Sequence, residues 1–312
     1  MRVRDLLGNN SLVLVIALVI ALICGGFPET ESITNKDIAM VSLCLMMCFS
    51  LCNIKLAGLN PKFYSKDILK AFFLCMVLGV AVTVLISFFF QGDIRHGWIL
   101  EAAVPSAVSV IPFTALLLGN MKSSIVSSTV IYFAALVVTP LITLIFLGEA
   151  INPETLLKYI AILIIVPLIV SRFMRRLHIP PAAGAITINL LFAILVIAIA
   201  GSNNYVFFGE PVLLISLLIA AVVRTFGVGI ILNAYLKKKE EPREDRVPEI
   251  LFATHKNTGM AGALAVILIG DAAAIPAAVC MTVDIVWLIY VSKFMFPVSK
   301  IKNEETQPVS TV

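Results

Sequence analysis

The sequence predicts an all-α polytopic membrane protein: ten transmembrane helices as a 5+5 inverted repeat, with two broken, crossing helices at the fourth and ninth positions. Three observations predict it. Of the 312 residues, 60% are hydrophobic and 13% charged, too apolar a chain to be enclosed in one soluble domain. Basic residues alternate from loop to loop. Two stretches inside apolar runs, Pro105 to Asn120 (PSAVSVIPFTALLLGN) and Thr254 to Gly262 (THKNTGMAG), place polar or helix-breaking residues at a depth where lipid offers no hydrogen-bond partner.

Apolar segments of about 20 residues fall at 11 to 27, 37 to 56, 67 to 90, 97 to 118, 123 to 147, 154 to 174, 184 to 200, 210 to 235, 248 to 269 and 273 to 297. The first follows Arg2 and Arg4 and lacks a small-residue cleavage site, so it is a span and not a signal peptide. The N-terminus, the 2/3 loop (Lys55, Lys62, Lys66, Lys70), Lys122, the 6/7 loop (Arg172, Arg175, Arg176), the 8/9 loop (Lys237 to Arg246) and the tail (Lys293, Lys300, Lys302) hold 18 of the 23 basic residues. The other loops hold Lys36, Arg95 and Lys158, which places both termini in the cytoplasm of a multi-pass protein of the plasma membrane. The net charge of +4 is therefore a topology signal and asks for no nucleic-acid partner. All six cysteines lie in apolar runs, which fits small core residues and not a disulfide framework.

Ten spans divide into five and five, and an odd number per half turns the halves upside down relative to each other. In each half the fourth span is interrupted, then follow a short turn (Gly119 to Lys122; Gly270 to Ala272) and a long apolar fifth span. Such turns make antiparallel hairpins, so both breaks belong to one packed unit.

In span 4, Pro105 and Pro112 each remove a backbone donor, and Ser106, Ser109 and Thr114 set hydroxyls beside the freed carbonyls. Ser124 and Ser128, with Ser123, Ser127 and Thr129, open span 5 either as close-packing small residues or as oxygen ligands for a cation. Span 9 carries Thr254, His255, Lys256, Asn257 and Thr258 within one and a half turns. An ionisable residue there is a functional candidate by default, and the two polar neighbours argue against a snorkelling interfacial lysine. Arg224 in span 8 and Asp284 in span 10 sit near mid-depth and are expected to neutralise each other; close to the breaks, Asp284 could instead carry a proton or cation and Arg224 clamp an anion. Glu101 lies a turn inside the outer end of span 4, where a vestibule would hydrate it, and His96 and His178 are loop residues.

The stretches PSAVSVIPFTALLLGNMKSSIVSSTVIYFAALVVTPLI and KNTGMAGALA resemble the bile acid:sodium symporter family, and the resemblance runs over most of the chain. It implies one transporter unit over 1–312, with panel-type helices at 11–56 and 154–200 and core-type helices at 67–147 and 210–297, working by alternating access. It puts sodium-site hydroxyls on Ser124 and Ser128 and the substrate-facing asparagine on Asn257. The family's Ser-Asn pair in span 4 falls on Val110 and Ile111, its cation-binding glutamate on Phe252 and its glutamine on Lys256, and span 3 has no glutamine. An ammonium group would thus stand where the family binds sodium and replace it.

The expected function is secondary active transport of a small organic anion, with Ser109, Thr114, Thr254, Lys256, Asn257, Thr258 and Arg224 toward substrate and Ser124, Ser128 and Asp284 toward a cation. The expected partners are that anion and the lipid bilayer; no cofactor or metal centre is expected beyond a possible Na+, and the sequence sets no oligomeric state. A cation/proton antiporter of similar fold would need a carboxylate at the crossing, for which only Asp284 qualifies, and an arsenite permease a thiol in span 4, which has none. An intramembrane enzyme would carry a pattern such as Gly-x-Ser-x-Gly or His-Glu-x-x-His, which the chain lacks, and a sensor an appended soluble domain.

Overall fold

The computed structural model describes residues 3–52, 60–177 and 179–297. Arg2, Lys55, His178, Lys300 and Lys302, and the end of span 2 expected at 53–56, lie outside the described residues. The principal helices are α1 (Asn10–Cys24), α2 (Asn35–Cys52), α3 (Pro61–Ser87), α4 (Gly92–Ala103), α5 (Val110–Leu116), α6 (Met121–Leu147), α7 (Pro153–Leu177), α8 (Pro181–Ser202), α9 (Pro211–Lys238), α10 (Arg243–Thr254), α11 (Thr258–Leu268) and α12 (Asp271–Met295). Among the described residues there is no strand, and seven helices (α2, α3, α6, α7, α8, α9 and α12) are long and apolar enough to cross a membrane. The protein is a multi-pass membrane protein.

Asparagine starts several of these helices. Asn9, Asn120, Asn152 and Asn257 each accept a hydrogen bond at the side chain from the amide two or three residues into the helix, which relieves the orphan donors of the first turn. Helix α6 shows how the sequence divides lipid from interior. Phe133, Val137, Leu141 and Ile145 recur every four residues and are exposed, while Ser124, Ser128, Ile131, Ala135 and Thr139 are buried on the opposite face.

The helices fall into two packed groups. Helices α1, α2, α7 and α8 contact one another, and α3, α4, α6 and α9 to α12 gather around the two broken segments. The groups meet where α11 lies against α2, α7 and α8, α12 against α1 and α8, and α6 against α7. Three helices also contain a stretch of π-helix, Phe73–Leu78 in α3, Val223–Gly227 in α9 and Val291–Met295 in α12, each of which frees carbonyls from the regular ladder.

A crossing of two broken helices

The chain between α4 and α5 and the chain between α10 and α11 cross as extended segments and pair. Ser106 and Lys256 form an isolated antiparallel bridge, closed by Ala107 N–H donating to His255 O at 2.9 Å and Asn257 N–H donating to Pro105 O at 2.8 Å. Irregular backbone at this depth requires that each polar group find a partner. Every carbonyl from Ala102 to Ser106 has one: Lys256 Nζ for Ala102 and Val104, Thr139 Oγ1 for Ala103, the Asn257 amide for Pro105, and Tyr132 Oη for Ser106.

Lys256 is 2% exposed and its ammonium donates to three carbonyls at 2.9 Å each: Cys75 in the π-stretch of α3, and Ala102 and Val104 at the end of α4. All three of its protons are used. The charge sits on the carbonyl end of α4, where the helix dipole favours a cation. Gly79 eases the approach, because a Cβ there would stand 3.3 Å from Lys256 Cε, a tight contact. The lysine is no snorkelling residue.

A second charged group lies behind the crossing. Arg224, in the π-stretch of α9, donates to Glu101 Oε1 at 2.7 Å and to both oxygens of Asp284 at 3.0 and 3.2 Å, and Thr225 Oγ1 donates to Asp284 at 3.1 Å. The expected Arg224–Asp284 pair is present. The expectation of a hydrated Glu101 is corrected, since this residue is 0% exposed and faces inward onto the arginine, not outward into a vestibule.

A cavity of about 500 Å³ adjoins the crossing. Its wall is mostly apolar and reaches toward Gly8, Ser50, Met121 and Ala185, the end of the bundle that holds the start of α1 and the basic loops. Ser109, His255, Lys256, Asn257, Thr258 and Asp284 supply the polar lining at the crossing, and Ser50 and Asn189 add polar groups farther along the wall. Asn257 Oδ1 caps α11 at Met260 N, while its Nδ2 is buried near the Tyr132 hydroxyl with no partner of hydrogen-bonding geometry among the described residues. At the opposite end α11 presses on α8, where a Cβ on Gly262 would stand 2.8 Å from Ile199 Cδ1.

The other sequence candidates lie away from the cavity. Arg224 is occupied by the two carboxylates. Thr254 donates to Ile250 O and accepts from Trp287 Nε1, and Thr114 bonds Val110 O and the Ser124 hydroxyl. Ser124 and Ser128 are buried on α6, with no partner found for Ser128 Oγ, and the buried ring of Phe252 shares a water-sized hollow with Ser123, Asp67 and Glu249. Sequence reasoning missed Tyr132 and Thr139. Tyr132 continues the four-residue spacing of Ser124 and Ser128, and Thr139 follows on the same buried face, so the polar stripe of α6 was the available signal.

The chain matches none of the curated proteins with which it was compared. The sequence profile of the Sodium Bile acid symporter family matches residues 40–209, more than half of the chain and inclusive of the first broken helix. On that match and on the membrane-spanning helices that carry it, the chain belongs to the sodium bile acid symporter family of membrane transporters.

Proposed function

We propose that this protein is a secondary active transporter that carries an amphipathic organic anion by alternating access and does so without a bound sodium ion. Counting each broken pair (α4 with α5, α10 with α11) as one crossing gives ten spans in two halves of five, the inverted arrangement of secondary transporters. Helices α1, α2, α7 and α8 form the panel within 11–56 and 154–200; α3 to α6 and α9 to α12 form the core within 67–147 and 210–297. The cavity lies between them. With both termini in the cytoplasm of a plasma-membrane protein, as the loop charges favour, the opening faces inward and the contact of Gly262 with Ile199 belongs to the closed outer side.

The cavity suits a ligand with an apolar body and one anionic group. Its volume and apolar wall are those of a small-molecule site. At its polar end stand the free Asn257 Nδ2, the first turn of α11 and the charge of Lys256, a combination that favours a carboxylate or sulfonate.

The observation that carries the sodium-free reading is the triply bonded ammonium of Lys256. In the family resemblance this position is a sodium-site glutamine, and the neighbouring glutamate position is Phe252, which offers no oxygen. Ser124 and Ser128 are the hydroxyls left to a sodium ion, and Glu249, the carboxylate in the hollow beside Phe252, is already taken by the ammonium of Lys70 at 2.8 Å, a poor donor set for a hard cation that prefers charged oxygen ligands. The residues do not fit the ion. A carrier fits this crossing better than an enzyme, since among the described residues no cavity-lining hydroxyl is hydrogen-bonded to His255 or Asp284 as a nucleophile would be to its base.

A thermal-shift series on the purified protein tests the reading, since a ligand stabilises the state it binds. Carboxylates and sulfonates graded in apolar size from acetate to cholate are expected to raise the melting temperature. Their neutral alcohol counterparts are expected to leave it unchanged, with the same result in sodium and potassium buffers. A shift that requires sodium would overturn the sodium-free reading, and stabilisation by the alcohols alone would overturn the anion.

A further inference from the structure

The two carboxylates on Arg224 are held unequally. Asp284 receives two hydrogen bonds from the guanidinium and a third from Thr225, whereas Glu101 receives one, and its Oε2 is fully buried with no partner among the described residues. A proton needs a carboxylate oxygen that no donor already occupies, and Glu101 Oε2 is the one the pair offers. Glu101 is therefore the member of the pair built to take up a proton.

The surrounding charges make that proton consequential. Arg224 and Lys256 are balanced by Glu101 and Asp284, a net charge of zero with all four ionised. The other titratable groups packed about the cluster are His255 at the crossing, Cys280 on α12, Cys75 on α3 and Tyr132 on α6; α11 contributes none, and Asp93, Arg95 and His96 lie in the first turns of α4. Lys256 is bonded to the carbonyls of Ala102, the residue after Glu101, and of Val104, three residues after it, so the two charges report to the same helix end. The cavity reaches Asp284 and leaves Glu101 behind it, which puts the proton's exchange under the control of the Asp284–Arg224 contact.

We propose that Glu101 is the coupling site of the carrier, binding one proton together with each anion. Protonated Glu101 leaves the crossing with one net positive charge, matched to a monovalent carboxylate at Asn257 and Thr258; when the anion leaves, loss of the proton returns the charge to zero. Proton and anion then raise each other's affinity by the same factor, as linkage requires. The anion half rests on the function proposed above. The proton half rests on the cluster alone.

Two measurements separate the halves. Infrared difference spectra of the wild-type protein in liposomes, acidified minus neutral and without anion, are expected to show a protonated carboxyl band, absent in Glu101→Gln and retained in Asp284→Asn. Radiolabelled cholate uptake by wild-type proteoliposomes is expected to rise several-fold with an inward proton gradient. In Glu101→Gln, which mimics the protonated side chain, that ratio is expected to fall to about one while cholate exchange across the membrane persists, which also reports folding. A missing band, a band that survives Glu101→Gln, or gradient-driven uptake by that variant would overturn the proposal. If the band appears as expected but neither protein moves cholate, the proton site stands and the carboxylate substrate falls.

Discussion

Lys256 donates to the carbonyl of Val104 across 2.9 Å, so the second broken helix supplies the cap that the first one lacks. Two breaks that would each be costly in lipid become one satisfied unit, and the charge that joins them belongs to the chain.

Replacing this lysine is expected to uncouple the breaks. Lys256→Met leaves three buried acceptors unpaired at about 1–3 kcal/mol each, and Lys256→Gln leaves at least one. Thermal unfolding in detergent should rank wild type above Lys256→Gln and that above Lys256→Met, and transport should be lost in both. A Lys256→Met protein as stable as wild type would contradict the capping role.

If the ammonium and Phe252 together exclude sodium, the exclusion should be reversible. The double variant Phe252→Glu with Lys256→Gln is expected to gain a sodium-dependent rise in melting temperature that neither wild type nor Lys256→Gln shows. No response to sodium in the folded double variant would weaken the substitution account.

The guanidinium of Arg224 separates two buried carboxylates. Arg224→Met should destabilise by about 3–5 kcal/mol, the usual consequence of stripping one partner from a buried ion pair. Adding Glu101→Gln to it should recover part of the loss. Thermal unfolding of the two variants against wild type checks both, and equal stability would mean that the cluster is solvated.

Asn257 does two jobs with one amide, since Oδ1 caps α11 and Nδ2 is free beside the cavity. Asn257→Ser retains a capping oxygen and withdraws the amide NH2, leaving only a shorter hydroxyl. Its melting temperature should stay close to wild type while the anion-induced shift falls by several-fold; an unchanged shift would place the anion elsewhere.

The outer contact is set by the size of residue 262. Gly262→Leu is expected to wedge α11 from α8, because even a Cβ there would crowd Ile199 at 2.8 Å. In a background free of native cysteines, a reporter at Ser109→Cys should react with an impermeant thiol reagent only from the cytoplasmic side, and from both sides once Gly262→Leu is added.

What could be foreseen divides by chemistry. The two breaks were legible because proline, glycine and clustered polar side chains at membrane depth are local signals, and the Arg224–Asp284 pair was legible because opposite charges at similar depth have few other partners. The acceptors of Lys256 were not. They are backbone carbonyls of Cys75, Ala102 and Val104, and a carbonyl carries no mark of its residue type. Depth also misled at Glu101, because distance from the end of a helix says nothing about which face a side chain occupies, and that face is set by α9, more than a hundred residues later. The π-stretches in α3 and α9, which deliver Cys75 O and Arg224, lie within predominantly apolar runs that gave no pattern to read.

The bonds of Lys256 also impose an order of assembly. Its acceptors precede it in the chain by 181, 154 and 152 residues, so they have left the ribosome well before the lysine does. A lone lysine at the centre of a helix opposes insertion by a few kcal/mol, and the carbonyls that relieve it belong to helices α3 and α4 already in the bilayer. The first half of the protein thus acts as a template for the second, and α10 and α11 synthesised without it would have no stable place in the membrane.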